Sequence, residues 1–127
     1  MGSFCDDVGA LIGEDLRAIG ATHIRDTRSG QGLDETQACL FSASDKVIAI
    51  SFSPRDGAAC FIREAESADL SQYETWDALW HLLGMDKDLD FDNPESVVEY
   101  LNMFPQGHDE FIKFIGTSLV NYFSSIR

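Results

Sequence analysis

With 127 residues the chain has room for one domain, residues 1–127, and for a true core, because a chain near this size buries roughly two-thirds of the surface its unfolded form exposes. An apolar share of 44% argues against disorder. The 22 acids against 9 bases give a formal net charge of -13, a field that repels nucleic acid and anionic lipid and attracts basic partners.

In chain order, residues 4–20 are predicted to form a helix. Val8, Leu11, Ile12, Leu16 and Ile19 keep the 3.6-residue period, Asp7, Glu14 and Arg17 take the other face, and Gly20 is the stop. Residues 25–35 are polar and glycine-rich and read as a loop or a weak edge strand. Three strands are predicted next: 37–43 around the run ACLF, 46–52 as KVIAISF, and 58–63 as AACFIR. Ser44-Asp45 and Pro54-Arg55-Asp56-Gly57 supply turn chemistry between them, and connections this short imply an antiparallel meander.

Beyond residue 64 the pattern is helical. Ser71 and Glu74 match a capping box, with Tyr73, Trp76, Leu79, Trp80 and Leu83 as one apolar stripe ended by Gly84. Asp92 or Asn93 caps a further helix with Pro94 at its first position and Val97, Val98, Leu101 and Phe104 as its buried side. Pro105-Gln106-Gly107 breaks the chain before a last helix over 109–126, with Phe111, Ile112, Ile115, Leu119, Tyr122, Phe123 and Ile126 inward. Phe114 is either buried between helices or an exposed anchor. The expected fold class is α+β: an N-terminal helix, a three-stranded antiparallel meander, then three C-terminal helices packed on the sheet.

No catalytic set emerges, so no enzyme is expected. Cys39 and Cys60 sit among apolar strand neighbours and read as inert core thiols, and no GxSxG elbow is present. The three cysteines, Cys5, Cys39 and Cys60, have no CxxC spacing and suggest free thiols in a reducing cytoplasm. His23, His81 and His108 lack metal-ligand spacing, so neither metal nor cofactor is expected. The segment 86–97 opens like a calcium loop. It carries Phe91 where that loop needs glycine and Val97 where it needs glutamate. The alternation of its acids with Leu89 and Phe91 reads instead as an extended segment with acids outward and apolar residues inward. No apolar run approaches the length of a membrane span, and Asp6 and Asp7 replace the basic start of a secretory signal.

The acids themselves carry the functional signal. Eleven of the 22 lie between residues 64 and 99, where Lys87 is the one base. That tract is either a solvated face or a docking surface for a basic partner. In the docking reading, Asp86, Asp88, Asp90, Asp92, Glu95 and Glu99 come first and Glu64, Glu66 and Asp69 second.

This profile resembles the small acidic immunity proteins of bacterial polymorphic-toxin and contact-dependent growth inhibition systems. The resemblance is one of class, carried by the dense acids from Glu64 to Glu99 and the strand-then-helix order. It implies a cytoplasmic, monomeric protein that binds a basic toxin, such as a nuclease, and covers its active site or substrate surface. Residues 7–63 also resemble type III secretion chaperones, which would imply a homodimer holding an effector segment. The two helices predicted over 94–126 depart from that pattern.

Overall fold

The computed structural model describes residues 4–55, 57–87 and 89–126. Helix α1 (Phe4–Ala18) is followed by strands β1 (Thr22–Ser29), β2 (Thr36–Ala43), β3 (Lys46–Ser53) and β4 (Gly57–Glu64), then a short strand β5 (Asp77–Ala78). Helices α2 (Leu79–Leu82), α3 (Pro94–Asn102) and α4 (His108–Ser125) complete the chain. The class is α+β, with an N-terminal helix, an antiparallel sheet and C-terminal helices, but the sheet has five strands in the order β1-β2-β3-β4-β5, not three.

Of the two further strands, β1 takes the weak-edge-strand alternative offered for 25–35, over residues 25–29, and begins earlier, at Thr22; neither strand carries a hydrophobic period, for different reasons. Strand β1, THIRDTRS, is almost wholly exposed at the sheet edge, so it lacks the alternation that marks a half-buried strand. Backbone pairing to β2 holds it, and its charged side chains discourage edge-to-edge association. Strand β5 is two residues long, shorter than any pattern can register.

Both faces of the central strands are buried, which is why β2 and β3 read as apolar runs rather than alternations. On one face Cys39, Phe41, Ile48, Ile50, Cys60 and Ile62 pack against α1 and α4. On the other, Ala38, Leu40, Val47 and Ala49 lie under Tyr73 and Trp76. The stripe 73–83 therefore does not form one helix. Residues 70–75 make a 3-10 turn, β5 pairs with β4, and only Leu79–Leu82 is α-helical. Tyr73 and Trp76 serve one face of the sheet and Leu79 the other, so the segment passes round the β4 edge. The expected capping box is replaced by Asp69, whose carboxylate accepts from Ser71 N at 3.0 Å and from Ser71 Oγ at 2.6 Å.

Helix α1 ends as its sequence requires. Gly20 has φ of 74°, its N–H donates to Arg17 O, and Ala21 N–H reaches back to Leu16 O at 2.9 Å. This satisfies the last carbonyls of the helix, and a left-handed residue there favours glycine. Phe4, Val8, Ile12 and Leu16 then face the core. Helix α4 lies against α1 at Gly116, where an added Cβ would stand 2.6 Å from Ile12 Cγ2. Ile112, Ile115, Leu119 and Phe123 of α4 are buried, while Ile126, expected inward, is exposed beyond the helix end.

Candidate functional site

None of the described residues in 84–104 is buried, although the segment carries several large apolar side chains. Gly84 closes α2 with φ of 75°, and Met85 N–H returns to Trp80 O. The chain then turns rather than extends. Asp90 N donates to Ser96 Oγ at 3.1 Å and Asp90 Oδ1 accepts from Asp92 N at 3.0 Å. Asn93 caps α3, accepting from Glu95 N at 3.0 Å, with Pro94 at the first helical position. That start is the one the sequence predicts.

The side predicted as buried, Val97, Val98, Leu101 and Phe104, holds only in part, since Val97 and Phe104 are half-buried and the other two exposed. No residue of α3 is buried; Val98 is 54% exposed, Leu101 61% and Met103, just beyond the helix, 52%. Phe91, expected to point inward, is 81% exposed, because the turn at Asp90–Asp92 destroys the alternation on which that expectation rested. The helix is held by aromatic contacts near its end: Tyr100 to Phe104 at 5.2 Å between centroids, and Phe104 to Trp80 at 5.3 Å, to Phe111 at 5.9 Å and to Phe114 at 5.6 Å. Phe114 is thus half-buried among rings rather than a free anchor.

The predicted acids fall into two groups. Asp90, Asp92, Glu95 and Glu99 are exposed and share the turn and α3 with Phe91, Val98 and Leu101. Asp86 is half-buried, accepts from His81 Nδ1 at 3.0 Å, and adds to the burial that raises the Tyr100 hydroxyl above its usual pKa. Asp88 lies outside the described residues, as does Asp56 of the predicted turn. Glu95 and Glu99 flank Val98 along one shallow groove, and Glu99 also borders a cavity of about 290 Å³ with Met85, Leu89, Tyr100 and Met103.

Glu64, Glu66 and Asp69 belong to other elements, the end of β4 and the turn after it. Glu64 is engaged by Lys46, and this hydrogen bond raises the ammonium pKa. Asp69 holds Ser71, and those two hydrogen bonds lower its carboxyl pKa. These three acids therefore have local partners or a separate location, whereas the four exposed acids of 90–99 border an apolar surface.

One cysteine expectation is overturned. Cys5 and Cys39 form a disulfide, with Cα atoms 5.6 Å apart, so they are not two free thiols. Cys60 is free and buried as expected, and burial pushes its thiol well above the usual pKa. The histidines have also found acids: His23 Nε2 lies 2.6 Å from Asp26 Oδ1, and His108 Nε2 lies 3.4 Å from Asp7 Oδ2. No helix among the described residues is long and apolar enough to cross a membrane. Compared with the models of known protein families, with curated proteins and with solved structures, the chain matches none.

Proposed function

We propose that the chain is an inhibitor-type binding protein, an immunity protein that neutralises a basic toxin of the nuclease class, acting in the cytoplasm as a monomer. The observation that carries this reading is the α3 surface. Phe91, Val98 and Leu101 are exposed on a turn and helix whose other exposed side chains include Asp90, Asp92, Glu95 and Glu99. Large apolar side chains exposed among charges are the composition of a protein-recognition surface, and charge of one sign selects a partner of the other.

The mechanism is steering followed by blockade. The net charge of -13 accelerates encounter with a cationic surface. Carboxylates of Asp92, Glu95 and Glu99 then take the Lys and Arg side chains that would otherwise hold substrate phosphates. Phe91 and Leu101 supply the desolvated contact that slows dissociation. The chaperone-like alternative calls for an open sheet face, whereas the central strands have both faces covered.

The test is capture from the source cells at low and high salt, followed by a nuclease assay of the captured protein with the chain added back. The expected result is a basic nuclease, released by salt and inhibited at equimolar chain. Paired Glu95→Lys and Glu99→Lys should weaken inhibition at least tenfold, as should Phe91→Ala. Inhibition unchanged by either would remove α3 from the interface, and retention of an extended secreted segment in place of a folded nuclease would sink the immunity reading.

A further inference from the structure

A different set of elements gathers chemistry-bearing side chains that are far apart in sequence. Cys5 lies in the first turn of α1, Asp26 on β1 and Cys39 on β2, and their ligand atoms all stand within 4.8 Å of one another. Asp26 and Cys39 are direct partners across the β1–β2 ladder. His23 joins them through an irregularity. The register slips between His23 and Arg25, so His23 opposes Phe41 while Asp26 opposes Cys39. Phe41 and Cys39 share the face that packs under α1. In an unbroken strand, residues three apart would point to opposite faces; the bulge at Ile24 puts His23 and Asp26 on the same one. His23, Asp26, Cys5 and Cys39 line one pocket of about 270 Å³.

We infer that the dithiol form of this pocket is a zinc site, with Cys5 Sγ, Cys39 Sγ, an Asp26 oxygen and His23 Nε2 as its four ligands. Tetrahedral zinc, with bonds of about 2.0–2.3 Å, sets its ligand atoms roughly 3–4 Å apart; Cys5, Asp26 and Cys39 already stand near that mutual spacing, and His23, whose Nε2 lies 2.6 Å from Asp26 Oδ1, completes the set by a side-chain rotation. Two sulfurs with an imidazole favour zinc over calcium or magnesium, which take oxygen ligands. The negative chain concentrates cations around the pocket.

The disulfide and the metal are alternative occupants of the two sulfurs. Loading begins with reduction by a low-molecular-weight thiol. Two such thiols give up two electrons and two protons, become joined as a disulfide, and leave Cys5 and Cys39 as thiols. Each then loses its proton as it binds zinc, and His23 exchanges its hydrogen bond to Asp26 for the metal.

The experiment is a cobalt(II) titration of the full chain, reduced with a phosphine and desalted without oxygen, then back-titrated with zinc. Expected are a near-ultraviolet thiolate-to-cobalt band, visible bands of tetrahedral cobalt, a stoichiometry of one, and loss of both on adding one equivalent of zinc. Oxidised protein should give no thiolate band. Because Cys39 is buried and its replacement risks misfolding, the deciding variants are the exposed pair Asp26→Asn and His23→Gln, with Cys5→Ser beside them. Asp26→Asn and His23→Gln should each weaken zinc affinity at least tenfold, Cys5→Ser should weaken the charge-transfer band, and Cys60→Ala should change nothing. A reduced wild-type protein without the thiolate band, or affinities untouched by Asp26→Asn and His23→Gln, would overturn the assignment.

Discussion

The helices α1 and α4 and the helix α3 are similar in sequence pattern and opposite in fate. All three carry apolar residues at helical spacing, yet α1 and α4 each bury four or more side chains in the core and α3 buries none. Apolar periodicity states that a helix has a face to cover. It does not state that the same chain supplies the cover. Where α1 meets α4, the fit is close enough that a Cβ at Gly116 would stand 2.5 Å from Asp15 Oδ2 and 2.6 Å from Ile12 Cγ2. Around α3, Val98 and Leu101 face outward beside Glu95 and Glu99. One region spends its apolar surface on stability and the other keeps it available for binding.

That contrast can be broken by mutation. Ile115→Ala, at a fully buried position, should cost roughly 3–4 kcal/mol in urea unfolding, since it removes buried methyl groups and leaves a cavity. Metal-free Cys5→Ser should cost about 2–4 kcal/mol in the same assay, because the Cys5–Cys39 bond closes a loop across a sequence separation of 34. Gly116→Ala should cost about 1–3 kcal/mol through the clash with Ile12. Leu101→Ala, the matched change on α3, should stay within about 0.5 kcal/mol, as exposed substitutions do. A cost there as large as at Ile115 would mean that α3 is covered in solution.

The smallest effect concerns pH. The Asp69 carboxyl has a lowered pKa because Ser71 donates to it twice. A group whose folded pKa lies below its unfolded value of 3.8 adds stability above that value and loses it as pH falls through the folded one. An NMR titration should therefore show Asp69 protonating at lower pH than an unperturbed aspartate. Ser71→Ala should move its midpoint up, with little change in overall unfolding because the group is exposed.

How much of this was legible in the sequence follows from what each element depends on. Strands β2 to β4 and helices α1 and α4 depend on burial, and burial leaves an apolar trace: a run in the strands, as at residues 47–50, and a 3.6-residue period in the helices, as at Ile112 and Ile115. Strand β1 depends on backbone pairing, which leaves none. The stripe from Tyr73 to Leu83 misleads because its residues are buried on two faces of one sheet, and period alone cannot separate them. The acids of 86–99 are visible by count, but their setting is not. Phe91 and Leu101 are apolar letters that only the fold reveals as exposed. The pocket at Cys5 is invisible to spacing rules, since its ligands come from three elements and depend on a bulge at Ile24.

The meander also governs the order in which structure is gained. Each strand from β1 to β4 pairs with its neighbour in sequence across a short connection, so those contacts close at little entropic cost. The packing of α1 on α4 joins segments separated by most of the chain and pays the largest loop-closure term. The hairpins are therefore expected to form the folding nucleus and the helix pair to dock after the barrier. In a chevron analysis, Gly116→Ala should accelerate unfolding and leave the refolding rate nearly unchanged, whereas a lesion at Ile48 in β3 should slow refolding. The close contact of α1 with α4 would then open early, and the molecule's lifetime, more than its speed of assembly, would depend on how near Gly116 lets the two helices come.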